Sequence, residues 1–198
     1  MKQIKAICFD FWGTLVEAGG HKQINDLKKN LGAKAIDEKS FLNQVELSLL
    51  THPWSLKTGL KDLTKKLKLN TDRATIDRAY RSWWSHVKKS KPFPKSENIL
   101  NKLNKQDIIL VIISNTDREA FDYKIKTLGW KKYFKKFFLS CDLGVLKPDI
   151  KIFKAVEQYL NIPKQNILMV DDSLYHGIIP AKKLGWQGLL INNLDSNI

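Results

Sequence analysis

Three apolar stretches of this 198-residue sequence end at side chains that can act as nucleophiles, acids or metal ligands. Asp10 follows the first stretch, Ser114 follows the second, and Asp171 and Asp172 follow the third. Lys147 lies in a loop-like segment between the second and the third. Taken alone, Asp10 is better explained as an aspartate that caps a turn. The later polar clusters reverse that preference and favour one shared site.

The apolar stretches themselves have the length and composition of buried strands. The stretch at 108–113 carries β-branched residues on both faces, which is typical of a central strand in a parallel sheet. Shorter stretches lie at 4–9, 137–139, 167–170 and 188–191, and helical patterns separate them. Strands that alternate with helices predict an α/β fold with a parallel sheet. Because parallel strands present their carboxyl ends at one edge, the polar clusters should meet there.

The segment between the first two strands has a different character. From about residue 21 to residue 89, apolar residues recur at helical spacing, and a proline-containing stretch at 91–95 ends the pattern. The sequence therefore predicts an α/β core domain at 1–16 and 95–198. It predicts an inserted all-helical cap domain at 17–94.

Two aromatic residues and one proline carry local predictions. Trp83 and Trp84 are adjacent on a predicted helix and would point about 100° apart. We expect one of them in a core and the other packed against the main domain. Pro148 suits the first turn of the helix that follows Lys147.

Carboxylates at two strand ends, with a lysine and a hydroxyl beside them, suit a phosphoryl group held by a divalent cation. Mg²⁺ takes oxygen ligands and is usually held by one or two carboxylates together with substrate and water. A carboxylate can also be the nucleophile and form an aspartyl intermediate. In such a site Lys147 would neutralise the transferring group and Ser114 would hydrogen-bond it. The sequence contains no GxxxxGK[ST], GxGxxG or GxSxG motif that would favour another chemistry.

Taken in order, the polar clusters resemble the four motifs of the haloacid dehalogenase (HAD) superfamily. The matching residues are Phe9-Asp10-Phe11-Trp12-Gly13-Thr14-Leu15, Ile113-Ser114-Asn115, Gly144-Val145-Leu146-Lys147-Pro148-Asp149 with Ile152-Phe153, and Val170-Asp171-Asp172-Ser173. The resemblance covers nearly the whole chain, and the insertion at 17–94 is similar to the family's helical cap. It implies a Rossmann-like core with helices on both faces of the sheet, an aspartyl nucleophile and a bound Mg²⁺.

The resemblance also implies roles for single residues. Asp10 would be the nucleophile, Lys147 would compensate charge, and Thr14 and Ser114 would offer hydroxyl groups to the phosphate. The implied substrate-binding residues are Ser114, Asn115 and Gly13. The implied metal ligands are Asp10, the backbone carbonyl of Trp12, Asp171 and Asp172.

Two positions depart from the family pattern. Phosphatases of the family carry a general acid and base two residues after the nucleophile, where this chain has Trp12. An indole donates no proton at useful acidity, and loss of a general acid forfeits a factor of about 10² to 10⁴ in rate. The family's dehalogenases have a tyrosine there, so Trp12 leans toward them, whereas paired Asp171 and Asp172 indicate a metal site. A further family aspartate aligns with Gly177, beside His176.

The sequence thus favours a Mg²⁺-dependent phosphatase of small phosphorylated molecules that works through an aspartyl-phosphate intermediate, with Trp12 in place of the usual acid and base. A first alternative is a non-catalytic protein of the same fold that binds an anionic ligand or nucleic acid. A second alternative is a hydrolase that resembles 2-haloacid dehalogenases. For the missing general base, His176 and Asp171 are the candidate substitutes.

Charge and composition bear on partners and location. The formal charge of +14 attracts anionic partners. The lysines are spread along the chain, so we expect them to steer an anionic substrate and do not expect specific nucleic-acid binding. The apolar stretches are too short to cross a bilayer and no signal peptide is recognisable, so we expect a cytoplasmic protein without membrane association. The distant Cys8 and Cys141 agree with a reducing compartment. The sequence carries no signal for an oligomeric state.

Overall fold

A parallel sheet forms the centre of the computed structural model, which describes residues 3–192. Its strands are β1 (Ala6–Phe9), β2 (Ile109–Ser114), β3 (Lys136–Leu139), β4 (Ile167–Asp171) and β5 (Gln187–Leu190). The five strands lie in the order β3-β2-β1-β4-β5. The first strand pairs in parallel with β2 on one side and β4 on the other. The predicted α/β class with a parallel sheet is confirmed.

Helices fill the connections between the strands. They are α1 (Gly20–Asn30), α2 (Glu38–Leu49), α3 (Leu56–Lys66), α4 (Arg73–Lys89), α5 (Ser96–Asn104), α6 (Arg118–Thr127), α7 (Ser140–Leu143), α8 (Ile150–Leu160) and α9 (Ile179–Lys183). One π-helical turn, Leu174–Ile178, leads into α9. Within residues 3–192, no helix combines the length and the apolar character that a membrane span requires.

Side chains that alternate along β1 divide the core into two layers. Ile7 and Phe9 belong to one layer, which packs against α5 and α6. Ala6 and Cys8 belong to the other, which packs against α8 and α9. This period of two, with apolar residues at every position, is what a strand covered on both faces requires. The sheet is therefore rigidly held from both sides, and its carboxyl edge can support a site.

Helices α1 to α4 form a separate apolar cluster. Buried members include Phe41, Leu60, Leu63 and Trp83, and Trp84 packs against this cluster half-buried. Residues 17–94 contain no strand element, in agreement with the predicted helical insertion. Its treatment as a separate domain stays a prediction. Of the predicted core, 1–2 and 193–198 lie outside the described residues.

Two connectors join the helical insertion to the sheet, and they run side by side. Val16 and Pro92 form an antiparallel bridge. The Glu17 amide donates to the Lys91 carbonyl at 2.8 Å, and the Lys91 amide donates to Glu17 Oε2 at 2.9 Å. The insertion thus leaves and rejoins the core at one place, above the carboxyl end of β1.

Candidate active site

The polar strand ends meet where the strand order reverses. The chain passes from β1 outward through β2 to β3, and β4 then returns to the other side of β1. Asp10 directly follows β1 and Asp171 ends β4. The Asp10 amide donates to the Val170 carbonyl at 2.9 Å, which ties the two strand ends together. In open α/β sheets, this crevice at the carboxyl ends of the strands is where ligands bind.

Lys147 is buried between two aspartates. Its Nζ donates to Asp10 Oδ1 at 2.9 Å and to Asp171 Oδ2 at 2.7 Å. Burial lowers the pKa of Lys147, but the two carboxylates outweigh burial and leave its pKa raised, so the ammonium is charged. Burial also raises the pKa of Asp10, Lys147 opposes this effect, and the like charge of Asp171 adds to it. Two carboxylates around one ammonium leave a net negative charge in a nearly dry site.

Asn115 positions the backbone of Lys147. Its Nδ2 donates to the Lys147 carbonyl at 3.0 Å, and its Oδ1 accepts from the Lys147 amide at 2.7 Å. Asn115 also lines the cavity in front of the site, where the sequence placed it as a substrate-binding residue. Pro148 does not lie in the first turn of α8 as predicted. It follows Lys147 through a cis peptide bond, and Asp149 caps the helix, because its side chain accepts from the Lys151 amide at 2.9 Å.

Thr14 is engaged with Asp172 rather than free for a ligand. Its Oγ1 donates to Asp172 Oδ1 at 3.1 Å and accepts from the Asp172 amide at 3.1 Å. The turn between Asp10 and Thr14 passes through Gly13, whose φ of +87° favours glycine. A Cβ at Gly13 would lie 2.4 Å from Asp172 Oδ2, so only glycine fits against this carboxylate. Partial burial and the negative charge of Asp10 raise the pKa of Asp172.

Gly177 and Asp171 compete for the same space. A Cβ at Gly177 would lie 2.1 Å from Asp171 Oδ2, which accepts the hydrogen bond from Lys147. The second oxygen, Oδ1, accepts from the Ser173 amide at 2.7 Å. The carboxylate of Asp171 therefore fills the volume into which a side chain at position 177 would project. The glycine at the aligned family aspartate is explained by this contact.

Ser114 is placed differently from the other predicted residues. Its Oγ is buried and has no hydrogen-bond partner among the described residues. Ser114 does not line the cavity, whereas the three residues that follow it do. A buried hydroxyl without a partner carries a desolvation cost. It is available as a donor at the carboxyl end of β2.

A cavity of about 570 Å³ lies between the sheet edge and helices α1, α2 and α4. Six of the predicted site residues line it, namely Asp10, Trp12, Asn115, Lys147, Asp171 and Asp172. Its volume and its position at the strand ends match a small-molecule site. The cavity thus joins the polar cluster to the wall formed by the helical insertion.

The sequence analysis did not anticipate Thr116 and Asp117 in this cavity. The Trp12 indole Nε1 donates to Thr116 Oγ1 at 2.9 Å, so its only polar atom is already used. Asp117 accepts from Trp83 Nε1 at 3.2 Å and from the Ala120 amide at 2.8 Å. Burial raises the pKa of Asp117 to about 6, and these hydrogen bonds oppose the effect. From the sequence, Asp117 shows only the pattern of a helix N-cap.

The acidic cluster fits a divalent cation. Ligand atoms of Asp10, Asp171 and Asp172 lie within 4.8 Å of one another. Hard carboxylate oxygens are the donors that Mg²⁺ prefers. Lys147 neutralises only part of this charge. Partial burial raises the pKa of Asp172, and the negative charge of Asp10 adds to this effect. Both oxygens of Asp171 already accept hydrogen bonds, whereas Asp172 faces the cavity with less of its carboxylate engaged.

The sheet order and the carboxylate-lysine cluster define a hydrolase of the HAD type, and the comparison with known families agrees. Residues 4–185 match the haloacid dehalogenase-like hydrolase family. The chain belongs to this family, which confirms the resemblance seen in its motifs.

Named relatives fall into two groups. The chain is 23% identical to haloacetate dehalogenase H-2 of Moraxella sp. (strain B), over 97% of this chain and 87% of that enzyme. It is 34% identical to glyceraldehyde 3-phosphate phosphatase of Pyrococcus abyssi, over 46% of this chain and 39% of that enzyme. The relatives therefore include both dehalogenases and phosphatases.

Solved structures share the fold. A HAD family enzyme of Bacteroides thetaiotaomicron superposes with a TM-score of 0.73 at 22% identity, covering 99% of this chain and 97% of that one. A structure of the same enzyme in complex with magnesium and inorganic phosphate gives a TM-score of 0.68 at 23% identity, covering 96% and 94%. At these identities the likeness establishes the architecture alone.

Proposed function

We propose that this HAD-family hydrolase is a Mg²⁺-dependent phosphatase of small phosphorylated molecules. The observation that carries the proposal is the buried Asp10 carboxylate, held by Lys147 Nζ at 2.9 Å and flanked by Asp171 and Asp172. A nucleophilic carboxylate, a fixed ammonium and an acidic cluster that suits a cation are what phosphoryl transfer needs. A related fold binds magnesium together with inorganic phosphate, which supports the same assignment.

The residues of this chain divide the work as follows. An oxygen of Asp10 attacks phosphorus, a new P–O bond forms, and the bond to the leaving-group oxygen breaks. Lys147 compensates the charge of the transferring group. Ser114 Oγ is buried and does not line the cavity, so its predicted hydrogen bond to that group requires the cavity to open toward the end of β2. Water then attacks the aspartyl phosphate, which releases inorganic phosphate and restores Asp10.

Asp10, Asp172 and the backbone carbonyl of Trp12 would hold Mg²⁺. When bound, the ion would reduce the repulsion between Asp10 and the phosphate dianion. In this assignment Asp171 holds Lys147 and is the weakest of the predicted ligands, because both of its oxygens already accept hydrogen bonds. Thr14 orients Asp172 through its paired hydrogen bonds. The free buried thiols of Cys8 and Cys141 suit an enzyme of the cytoplasm.

Trp12 determines which phosphates react. Its indole offers no acidic proton, so the leaving group departs without protonation from position 12. Acyl and aryl phosphates leave as stabilised anions and tolerate this absence, whereas alkyl phosphates do not. The proposed substrates are therefore activated phosphates.

A dehalogenase is the second candidate, favoured by the aromatic residue at position 12 and by the match to haloacetate dehalogenase over most of the chain. A haloacid brings a carboxylate that needs a cation of its own. Among the described residues that line the cavity, Lys147 is the sole lysine or arginine, and its Nζ already donates to two aspartates. Because no further lysine or arginine of the described cavity lining is available for the carboxylate of a haloacid, we rank the dehalogenase second.

The decisive experiment compares wild type with Asp10→Asn on acetyl phosphate, 4-nitrophenyl phosphate, glycerol 3-phosphate and chloroacetate, with and without Mg²⁺. We expect Mg²⁺-dependent phosphate release from the first two compounds, and its loss in the isosteric variant. Chloride release without Mg²⁺ would establish the dehalogenase instead. Equal inactivity of both proteins on every compound would leave the non-catalytic alternative.

Metal binding is tested separately by calorimetric titration of Mg²⁺ into wild type and Asp172→Ala. Wild type should release measurable heat, and the variant should release little, because it loses the ligand that faces the cavity. Equal heats for the two proteins would remove Asp172 from the metal site.

A further inference from the structure

The cavity is acidic although the protein is strongly basic. The chain has a formal charge of +14, yet the described ionisable residues along the cavity are mostly carboxylates. The carboxylates are those of Asp10, Glu38, Glu46, Asp117, Asp171 and Asp172, against the single ammonium of Lys147 and the imidazoles of His21 and His176. A substrate with a second negative group beyond its phosphate would meet repulsion here. This charge distribution favours a substrate whose non-phosphate part is neutral or positive.

Helix α2 contributes one regular stripe to the cavity wall. Glu38, Leu42 and Glu46 follow one another at intervals of four, which places them on one face of the helix, and the C-cap residue Leu50 continues the series. Leu42 is 39% exposed, so this face presents apolar surface as well as charge. Trp12, in the turn after β1, and Trp83, on α4, line the same cavity. The wall opposite the sheet edge combines apolar and aromatic surface with carboxylates.

Glu46 lacks a partner that would explain its position in this wall. It is half-buried, and no described residue donates a hydrogen bond to its carboxylate. Burial raises the pKa of Glu46, and the nearby His176 opposes this effect. Glu38, in contrast, is paired with His21 at 3.4 Å. A half-buried carboxylate on a cavity wall without a donor from the protein is free to accept a hydrogen bond from a ligand.

We propose that the substrate is an aryl phosphate whose ring carries an ammonium group, with the ring against Trp12 and Trp83 and the ammonium beside Glu46. This inference builds on the proposed phosphatase activity and names the substrate class of the same site. The ring suits the aromatic wall. An aryl oxide is also a stabilised leaving group, so it can depart without the proton that Trp12 cannot supply. The ammonium gives Glu46 the charge-assisted hydrogen bond that the described protein does not.

A matched pair of substrates tests the proposal. O-Phosphotyramine and 3-(4-phosphonooxyphenyl)propionate share the aryl phosphate and differ in an ammonium against a carboxylate at the far end. With Mg²⁺ present, we expect kcat/KM of the wild type to favour the ammonium compound by about tenfold or more, as one charge-assisted hydrogen bond would give. A ratio of one, or a preference for the carboxylate, would overturn the proposal.

Variants of α2 test whether Glu46 causes the preference for the ammonium substrate. Glu46→Gln should bring the ratio close to one. Glu97→Gln removes an exposed glutamate on α5 that does not line the cavity, and it should keep the wild-type ratio. If Glu46→Gln fails to fold, Leu42→Lys adds a cation at an exposed position of the same stripe and should invert the preference. An unchanged ratio in the folded Glu46 or Leu42 variant would contradict the role of this helix face.

Failure of the phosphatase is distinguishable from failure of this inference. If the wild type hydrolyses neither compound, calorimetric titration of both into the wild type with Mg²⁺ replaces the kinetic ratio. Tighter binding of O-phosphotyramine, lost in Glu46→Gln, would support the ligand class without catalysis. Equal binding, or no binding of either compound, would overturn it.

Discussion

Trp12 is a packing residue at a position where chemistry would be useful. Its ring packs edge to face on Phe11, with the ring centroids 5.0 Å apart, and its indole N–H donates to Thr116. The side chain also packs against both the apolar core beside the sheet and the apolar cluster of the insertion. The side chain is therefore fixed by its surroundings and cannot be exchanged without structural cost. The contacts explain its stabilising role, whereas its chemical inertness follows from the very weak acidity of the indole N–H.

Trp12→Asp should restore the absent acid. We expect kcat/KM for glycerol 3-phosphate to rise relative to 4-nitrophenyl phosphate by about 10²-fold, because the alkoxide is the poorer leaving group and gains most from protonation. The variant should also melt at lower temperature, since it loses a partly buried ring. Trp12→Phe is the control that removes the N–H without adding an acid. A similar gain in Trp12→Phe would attribute the effect to space rather than to proton transfer.

The contact between Asp171 and Gly177 predicts strong coupling between the two positions. Gly177→Asp alone should be destabilised by more than about 2 kcal/mol, because its Cβ would lie 2.1 Å from the Asp171 carboxylate. Asp171→Gly combined with Gly177→Asp should recover stability and bind Mg²⁺ more tightly than wild type. Chemical denaturation and Mg²⁺ calorimetry measure the two effects. Additive changes in a double-mutant cycle would contradict the shared volume.

At the scale of elements, Asp117 connects the start of α6 with α4 of the insertion. Its carboxylate caps α6 through the Ala120 amide and accepts from Trp83 Nε1. Both partners are donors, yet burial dominates and raises the pKa of this carboxyl from 3.8 to about 6. The contact between the insertion and the core therefore depends on a carboxyl that is expensive to ionise.

This raised pKa makes stability depend on pH. The native state binds a proton more tightly than the unfolded chain, so the contribution is complete below about pH 4 and is lost as pH rises through about 6. The loss amounts to about 3 kcal/mol. Asp117→Asn keeps a capping oxygen and does not titrate. We expect the difference in unfolding free energy between wild type and variant to shrink by this amount from pH 4 to pH 7 in urea titrations. A pH-independent difference would disprove the assignment.

Sequence patterns predicted the elements better than the contacts between them. The strands that bear Asp10 and Asp171 were recognisable because a strand buried on both faces requires an unbroken apolar run. The motif residues followed from their spacing. Thr116 and Asp117 were not recognisable from sequence, because their roles depend on tertiary contacts. Thr116 meets Trp12 where β1 pairs with β2, and Asp117 meets Trp83 where α4 lies against the start of α6. The close contact between the Asp171 carboxylate and Gly177 depends on one π-helical turn, and the sequence pattern does not predict such a turn.

At the scale of the whole molecule, a formal charge of +14 contrasts with a cavity lined mostly by carboxylates. We expect the positive charge of the protein to increase the association rate of the phosphate dianion and to have little effect on the reaction of the bound substrate. Raising NaCl from about 50 to about 500 mM, which shortens the screening length, should lower kcat/KM several-fold and leave kcat nearly unchanged. Steady-state kinetics at fixed Mg²⁺ measures both constants. A kcat that falls in parallel with kcat/KM would show that salt acts on the chemistry instead.

The same charge predicts weak contacts with nucleic acid. Duplex DNA should bind at low salt without sequence preference and should dissociate as salt is raised, because counterion release drives such binding. Electrophoretic mobility shifts over a salt series test this expectation. Tight binding that persists at high salt would favour the non-catalytic alternative.

The place of β1 in the sheet has a consequence for how the chain folds during synthesis. This strand is made first, yet it is central: Ala6 pairs with Ile109 on one side and with Ile167 on the other. A ribosome must therefore deliver most of the chain before the first strand has both neighbours. The helices of the insertion need only local contacts, so they can form before β1 has a neighbouring strand to pair with. An apolar strand with two open edges during that interval is the segment of this chain for which a chaperone would matter most.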